Sequence, residues 1–322
     1  SISPEGLSPR LIKNGYDSYS MLNGRVYALP LDPSVQIFLY RTDLFHDAKL
    51  CRAYYERFHE NLVVPTTYEQ YLHAAEFFTR SCNPDSPTEY GTTMTCGSAS
   101  VAASDFLPFY LSRIDRFGST PDTLRLDSPE MQAAMRQYHA LEKFSCKQNW
   151  WGDSIQKFAE GKTAMTVIYS NYAAELINSG NSVVVGRVGA AILPGCKPLL
   201  GGGIVGISRY SQKAEACKQF FRWYYSADVA SLLVRLGGTS PIVDAYEDFQ
   251  NYSIFPWMNT SKKSFGLGQR GVKNQTPERF SIPKYEFAVG TAVRNVVQDL
   301  MTPEDASRMA QALYDAADPV SR

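Results

Sequence analysis

The sequence carries no surplus of charge: 32 lysines and arginines stand against 32 aspartates and glutamates in 322 residues. A chain so balanced has no electrostatic footing on phosphate backbones or anionic membranes, so nucleic acid is not an expected partner. It also lacks any apolar run near the ~20 residues that span a bilayer. Its opening, SISPEGLSPRL, has neither the charged start nor the apolar middle of a signal peptide and reads as a mature or trimmed piece. Metal-binding spacing is missing as well. Cys51, Cys82, Cys96, Cys146, Cys196 and Cys217 form no C-x-x-C pair. His46, His59, His73 and His139 are scattered without an H-E-x-x-H pattern, so no metal is expected. The wide cysteine spacings suit buried free thiols as well as disulfides, which leaves the compartment open. No G-x-S-x-G offers a hydrolase nucleophile, no carboxylate pair suggests acid–base catalysis, and no repeat or low-complexity tract appears. Catalytic residues and cofactors are therefore not expected.

What the sequence does hold is glycine in an arrangement that invites a cofactor. In LLGGGIVGIS, residues 199–208, Gly201, Gly203 and Gly206 keep the G-x-G-x-x-G spacing of dinucleotide-binding loops. That motif needs a helix beginning inside it, because the pyrophosphate is held at the helix N-terminus. Here the glycines run into the β-branched stretch Ile204-Val205-Gly206-Ile207, and helical periodicity resumes only at Ser211. The run reads as a turn where backbone or ligand must come close. An NAD-dependent enzyme built on Gly201–Gly206 is the weakest reading.

Strand and helix patterns alternate along the rest, which predicts an α/β fold, and the length suits two lobes. SVQIFLY, residues 34–40, alternates Val35, Ile37 and Leu39 with Gln36, Phe38 and Tyr40, as a strand buried on at least one face does. PTTYEQYLHAAEFFTR predicts a helix with Thr66 and Glu69 as its capping box. Ser128 and Pro129 suit the N-cap and first position of a helix through Leu141, and Asp153 suits the cap of a short helix ending at Gly161. TAMTVIY predicts a strand, followed by a helix near Asn171 and a second strand in VVVGRVGAAIL. AEACKQFFRWYYS and ADVASLLVRLGG predict two helices, the second closed by Gly237. Pro241 to about Pro283 reads as loop-rich. Helices return in KYEFAVGTAVRNVVQDL and TPEDASRMAQALYDA, the latter capped by Thr302 and Asp305.

Three phrases in this order resemble the family of extracellular solute-binding proteins that serve sugar-importing ABC transporters. They are NGRVYALPLDPSVQIFLYRTDLF (23–45), FAEGKTAMTV (158–167) and VGAAILPGCKPLLGGGIVGISRYSQKAEACKQFFRWYYS (188–226), the last continued by LLVRLGGTSPIVDAYED. The resemblance implies a two-lobe periplasmic-binding-protein-like fold of type II, maltose-binding-protein-like, with solute held in the cleft and the hinge closing around it. It places crossovers near Pro30 to Ser34, Gly201 to Gly206 and Val243 to Asp248. Residues 1–31 would end the N-terminal part of lobe one, 32–205 would form the main part of lobe two, 206–245 a return segment of lobe one, and 246–322 the C-terminal helical part of lobe two. Lobe one would be incomplete in this sequence.

A sugar presents hydroxyls and apolar C–H faces, so its site needs aromatic planes and a few fixed polar groups. Asp32 and Ser34 in the first crossover could accept hydroxyls, although Asp-Pro-Ser also suits a capped turn. Gly202 and Gly203 would let the second crossover pass beside the ligand. By family position, Met94, Thr95 and Ser98 end a strand at the cleft, Tyr169, Asn171 and Tyr172 supply a plane and an amide, and Tyr285 covers the ligand. Trp150 and Trp151 read as core or rim packing, and Arg222 and Trp223 as packing or a transporter-facing surface. The implied function is the binding component of an ABC importer, capturing a sugar, in particular an oligosaccharide. It would act as a monomer, outside the cytoplasm or lipid-anchored at the outer face of the membrane, and dock on membrane transport subunits. A cytoplasmic ligand sensor of the same fold is the alternative that free cysteines would favour.

Overall fold

The apolar run after Pro33 becomes the central strand of the molecule. A computed structural model describes residues 10–12, 20–22, 25–114, 125–178, 180, 182–270 and 281–316. Parts of the expected opening segment 1–31, including Asn23 and Gly24, lie outside the described residues. In chain order the elements are β1 (Leu29–Pro30), β2 (Ser34–Arg41), α1 (Ala48–Phe58), α2 (Tyr68–Phe77), β3 (Thr92–Thr95), α3 (Ala99–Leu111), α4 (Pro129–Glu142), β4 (Ser145–Gln148), α5 (Trp151–Ala159), β5 (Met165–Tyr169), β6 (Val188–Ala191), β7 (Leu200–Gly201) and β8 (Ile204–Val205). They continue with α6 (Ala214–Tyr224), α7 (Ala227–Arg235), α8 (Asp244–Glu247), α9 (Phe249–Ile254), α10 (Met258–Leu267), α11 (Ile282–Val297) and α12 (Pro303–Asp315). The fold is α/β with two lobes.

β2 pairs antiparallel with β5 through Gln36↔Tyr169 to Tyr40↔Met165, and with β6 through Phe38↔Ala191 to Arg41↔Val188. The chain descending from β6 then meets the start of β2 again, Ser34↔Gly201 and Val35↔Leu200, and finally β1, Ile204↔Pro30 and Val205↔Leu29. Helices cover β2, so Val35, Ile37, Phe38 and Leu39 are all wholly buried, on both faces rather than one. Each such side chain contributes about 1.5–3 kcal/mol on burial. Gln36 is tolerated there because its amide donates to the Ser104 carbonyl (2.7 Å) and accepts from the Leu199 N–H (3.0 Å). β3 and β4 form a separate parallel pair.

Local chemistry explains the helix starts. Ser128 accepts from the Met131 N–H with Pro129 at the first position, and Thr302 accepts from the Asp305 N–H. Three expectations shift. The capping box is Thr67 with Gln70, one residue beyond the Thr66–Glu69 pair, because Gln70 returns the reciprocal bond. The helix before Gly161 is capped by the backbone of Trp150, and Asp153 lies inside its first turn. The stretch from Pro241 is helical in α8, α9 and α10, although its prolines and asparagines hide the periodicity. The six cysteines form no disulfide.

Candidate functional site

Two segments, residues 29–34 and 200–205, run antiparallel and cross side by side. At their middle the regular ladder fails, since Pro33 has no N–H to give. The Leu31 N–H donates to the Gly203 carbonyl (2.8 Å), and the Gly203 N–H donates to Asp32 Oδ1 (2.5 Å). Gly202 sits at φ +101, a left-handed conformation, and a Cβ there would run into the Asp32 carbonyl oxygen. A Cβ on Gly203 would lie 2.6 Å from Asp32 Oδ1. The glycine run is thus a place where two chains pass at contact distance, and no helix begins before Ala214. The strand-to-helix geometry that a dinucleotide needs is absent at these residues, which removes the NAD reading.

Each end of the crossing is tied to one side. On the α6 side, the Tyr224 hydroxyl donates to the Leu31 carbonyl and the Tyr225 hydroxyl to the Pro30 carbonyl (2.5 Å). On the β2 side, Arg270 donates to the Leu200 carbonyl (3.0 Å) and pairs with the buried Glu286 of α11 (2.8 Å). Burial pushes the Glu286 carboxyl up, and Arg270 opposes that shift.

Beside the crossing stands a chain of aromatic rings. Tyr169 ends β5 and meets Trp151 edge-on (5.0 Å), Trp151 meets Trp150 (5.0 Å), and Trp150 meets Tyr172 (6.4 Å). Trp151 is 5% exposed and Trp150 48% exposed. Ser170 Oγ accepts from the Val35 N–H (3.3 Å), which fixes this turn to the first crossing segment. The Asn171 Oδ1 and Trp151 Nε1 atoms are buried without a hydrogen-bond partner among the described residues. Burial raises the phenol of Tyr172, and pushes that of Tyr224 up to about 12. The Asp32 carboxylate adds to both shifts, so its charge is felt by phenols on either side of the crossing.

Of the expected site residues, Asp32, Ser34, Gly202, Gly203, Tyr169, Asn171 and Tyr172 come together here. Ser34 is buried against Gly201, and Tyr169 is covered by Trp151. Two others do not present a surface. Thr95 is wholly buried with its hydroxyl bonded to Ser154 Oγ (2.8 Å), and Tyr285 is buried in α11 edge-on to Tyr314 (6.3 Å). Met94 is buried too. Ser98 is exposed, but its hydroxyl caps α3 by accepting from the Val101 N–H (3.4 Å). Tyr224, Tyr225 and Arg270, not picked out from sequence, also meet here, and Trp150, read as core or rim packing, lies half-exposed at the rim. The aromatic doublet in WYY at a helix end was the available sign of the two tyrosines. Among the described residues, no group of three or more His, Cys, Asp or Glu is placed to hold a metal ion.

A family model described as bacterial extracellular solute-binding protein matches residues 4–257. Solved structures of similar fold include an ABC transporter solute-binding protein from Agrobacterium radiobacter K84 in complex with ribitol. It has a TM-score of 0.76 and 21% identity over 95% of this chain and 75% of that one. The maltose-bound MalE3 of T. maritima has a TM-score of 0.72 and 20% identity over 97% and 82%. A solute-binding protein from Agrobacterium vitis S4 with bound D-mannitol has a TM-score of 0.72 and 18% identity over 96% and 81%.

Proposed function

The chain belongs to the bacterial extracellular solute-binding proteins, and on that premise we propose that it is the binding component of an ABC importer for a neutral carbohydrate. The observation that carries the solute class is the aromatic chain Trp150–Tyr172 within the influence of the Asp32 carboxylate. A half-exposed indole offers a plane for the C–H face of a sugar or polyol, while Asp32 and the orphaned Asn171 amide oxygen accept hydroxyls. The nearby cation, Arg270, is engaged by Glu286 and a backbone carbonyl, so a phosphate or carboxylate solute would meet no bidentate clamp from it. Ribitol, maltose and mannitol are the solutes of the similar proteins named above.

Ligand contacts are assigned to Asp32, Asn171, Tyr172, Gly202 and Gly203, with Trp150 added. Ser34 and Tyr169 stand behind them. The crossing at 29–34 and 200–205 acts as the hinge, residues 32–205 and 246–322 supply lobe two, and 206–245 belongs to lobe one. Solute drives closure through its greater affinity for the closed arrangement. The protein acts without catalysis, as a monomer outside the cytoplasm, and delivers solute to membrane transport subunits. No described helix is long and apolar enough to cross a membrane. Calorimetry with ribitol, maltose, mannitol, amino acids and polyamines tests the solute class. Binding of a polyol or saccharide, weakened about tenfold or more by Trp150→Ala, is the expected result. Binding of charged solutes alone would overturn it.

A further inference from the structure

The carboxylate at the crossing is already in use. Asp32 Oδ1 takes the Gly203 N–H at 2.5 Å, and the neighbouring bond between the segments runs from the Leu31 N–H to the Gly203 carbonyl. Gly203 is therefore gripped at both its polar atoms, once by backbone and once by a side chain. The side-chain grip differs in kind, because an incoming hydroxyl can compete for a carboxylate but not for a ladder bond inside the crossing. The segment it holds is the one with least support of its own. Pro33 donates nothing and Gly202 occupies a backbone conformation with little steric restraint. Outside this stretch, Tyr224 and Tyr225 fix Leu31 and Pro30 on one side, and Arg270 fixes Leu200 on the other. The span outside the strand pairs is reduced to Leu31–Pro33 and Gly202–Gly203.

We propose that Asp32 is a positioning residue that couples solute capture to hinge movement: its carboxylate pins Gly203 in the arrangement seen here, and solute hydroxyls draw it off that N–H. The proposal rests on the hinge reading throughout and on the carbohydrate reading for its second half. Gly203 is the pivot, Asp32 the removable pin, and the two clamped ends carry the rotation to the lobes. A residue acting only as a ligand contact would change affinity without changing the hinge. A purely structural residue would change the hinge without solute altering the bond.

Asp32→Ala and Asp32→Asn separate these cases. The first arm uses no added solute. Amide exchange at Gly203 is followed by NMR, and the distance between spin labels on Cys82 and Cys217 is recorded in a background with Cys51, Cys96, Cys146 and Cys196 replaced by serine. Cys82 follows α2, in the span assigned to lobe two, and Cys217 lies on α6, in the span assigned to lobe one. Asp32→Ala is expected to speed Gly203 exchange about tenfold and broaden the distance distribution. Asp32→Asn, which keeps an acceptor of the same shape, is expected to restore most of the protection and a near-native distribution. An unchanged distribution in Asp32→Ala overturns the proposal. In the second arm ribitol, maltose and mannitol are titrated, with the Gly203 amide as reporter. Faster exchange at Gly203 in wild type on saturation, absent from Asp32→Ala, supports the coupling. Loss of affinity in both variants with no response of the Gly203 amide in wild type reduces Asp32 to a contact and overturns it. If no sugar or polyol binds wild type, the carbohydrate reading fails, and the first arm alone decides whether Asp32 holds the hinge.

Discussion

Around β2, Ile37, Phe38 and Leu39 are wholly buried between helices, whereas between Ile204 and Ile254 Phe220, Trp223, Leu232, Leu236 and Phe249 stand exposed. Close to half of the large apolar side chains that are exposed among the described residues fall in this second stretch. The two regions do not differ in amphipathic pattern. α6 carries Phe220, Phe221, Trp223 and Tyr224 on one wide apolar arc. Phe221 and Tyr224 are buried toward the crossing, while Phe220 and Trp223 continue the same arc into solvent. In α7 and at its C-cap, Ala230 and Val234 are covered and Leu232 and Leu236 are not. A pattern in sequence states which face is apolar. Burial depends on what packs against that face, and only the first region has partners on both sides of its sheet.

That contrast can be broken most severely from the covered side. Phe38→Ala removes a ring that meets Tyr71 edge-on at 5.2 Å in a site with no solvent contact. The expected loss is about 3–5 kcal/mol, because the strand is paired on both edges and cannot collapse into the gap. Urea denaturation at constant slope is the measurement. A loss below about 1 kcal/mol would mean the region is far less tightly packed than it is drawn here.

A second test uses charge inside the same region. Asp105 on α3 is buried and accepts from the Tyr138 hydroxyl (2.7 Å) and the Thr95 N–H (3.2 Å), beside the hydroxyls of Tyr68 and Thr93 in a cavity with room for about one water. Burial pushes its carboxyl up to about 7, and the two hydrogen bonds only partly offset this. The folded protein therefore holds a proton that the unfolded chain releases near the ordinary carboxylate value of about 3.9. This contribution to stability is full below pH 4, falls as pH rises toward 7, and is gone above it. Wild type should lose on the order of 2–3 kcal/mol between pH 5 and pH 8 from this group. Buried Glu286 shifts in the same direction, so the informative quantity is the difference between wild type and Asp105→Asn in denaturation midpoint at the two pH values. A parallel pH dependence in both proteins would show that Asp105 is not the group responsible.

How far such features are legible in sequence depends on how local their causes are. β2, the Ser128 and Thr302 caps and the helices α6 and α7 follow from residues within one or two turns. The capping box slips by one residue because Thr66 and Thr67 offer the same hydroxyl, and what decides between them is whether Gln70 or Glu69 reaches back. At the site, Asp32, Gly202 and Gly203 are readable because a strand crossing must use small or turn-forming residues. Thr95 and Tyr285 were placed by family position, and the side chains that cover them come from distant parts of the chain. The two tryptophans read together as core or rim packing divide between those places. Trp150 and Trp151 are indistinguishable in a sequence, and the helix that starts between them buries one and leaves the other half in solvent.

The smallest effect is expected on the uncovered side, and it sharpens the comparison most. Trp223 is 58% exposed and Leu236 74% exposed. Trp223→Ser and Leu236→Ser exchange apolar surface that is already wet for a polar side chain, so little transfer free energy is lost. Helix propensity hardly changes, because tryptophan and serine rank alike in a helix and Leu236 is the C-cap of α7. Each variant should stay within about 0.5 kcal/mol of wild type in urea denaturation. The double variant should gain solubility, measured as the concentration at which light scattering rises, because contiguous exposed apolar patches drive association. A loss of 2 kcal/mol or more, about what a half-covered large side chain would give, would mean that this arc is packed in solution. The two regions would then be alike, and the asymmetry between them would have to be abandoned.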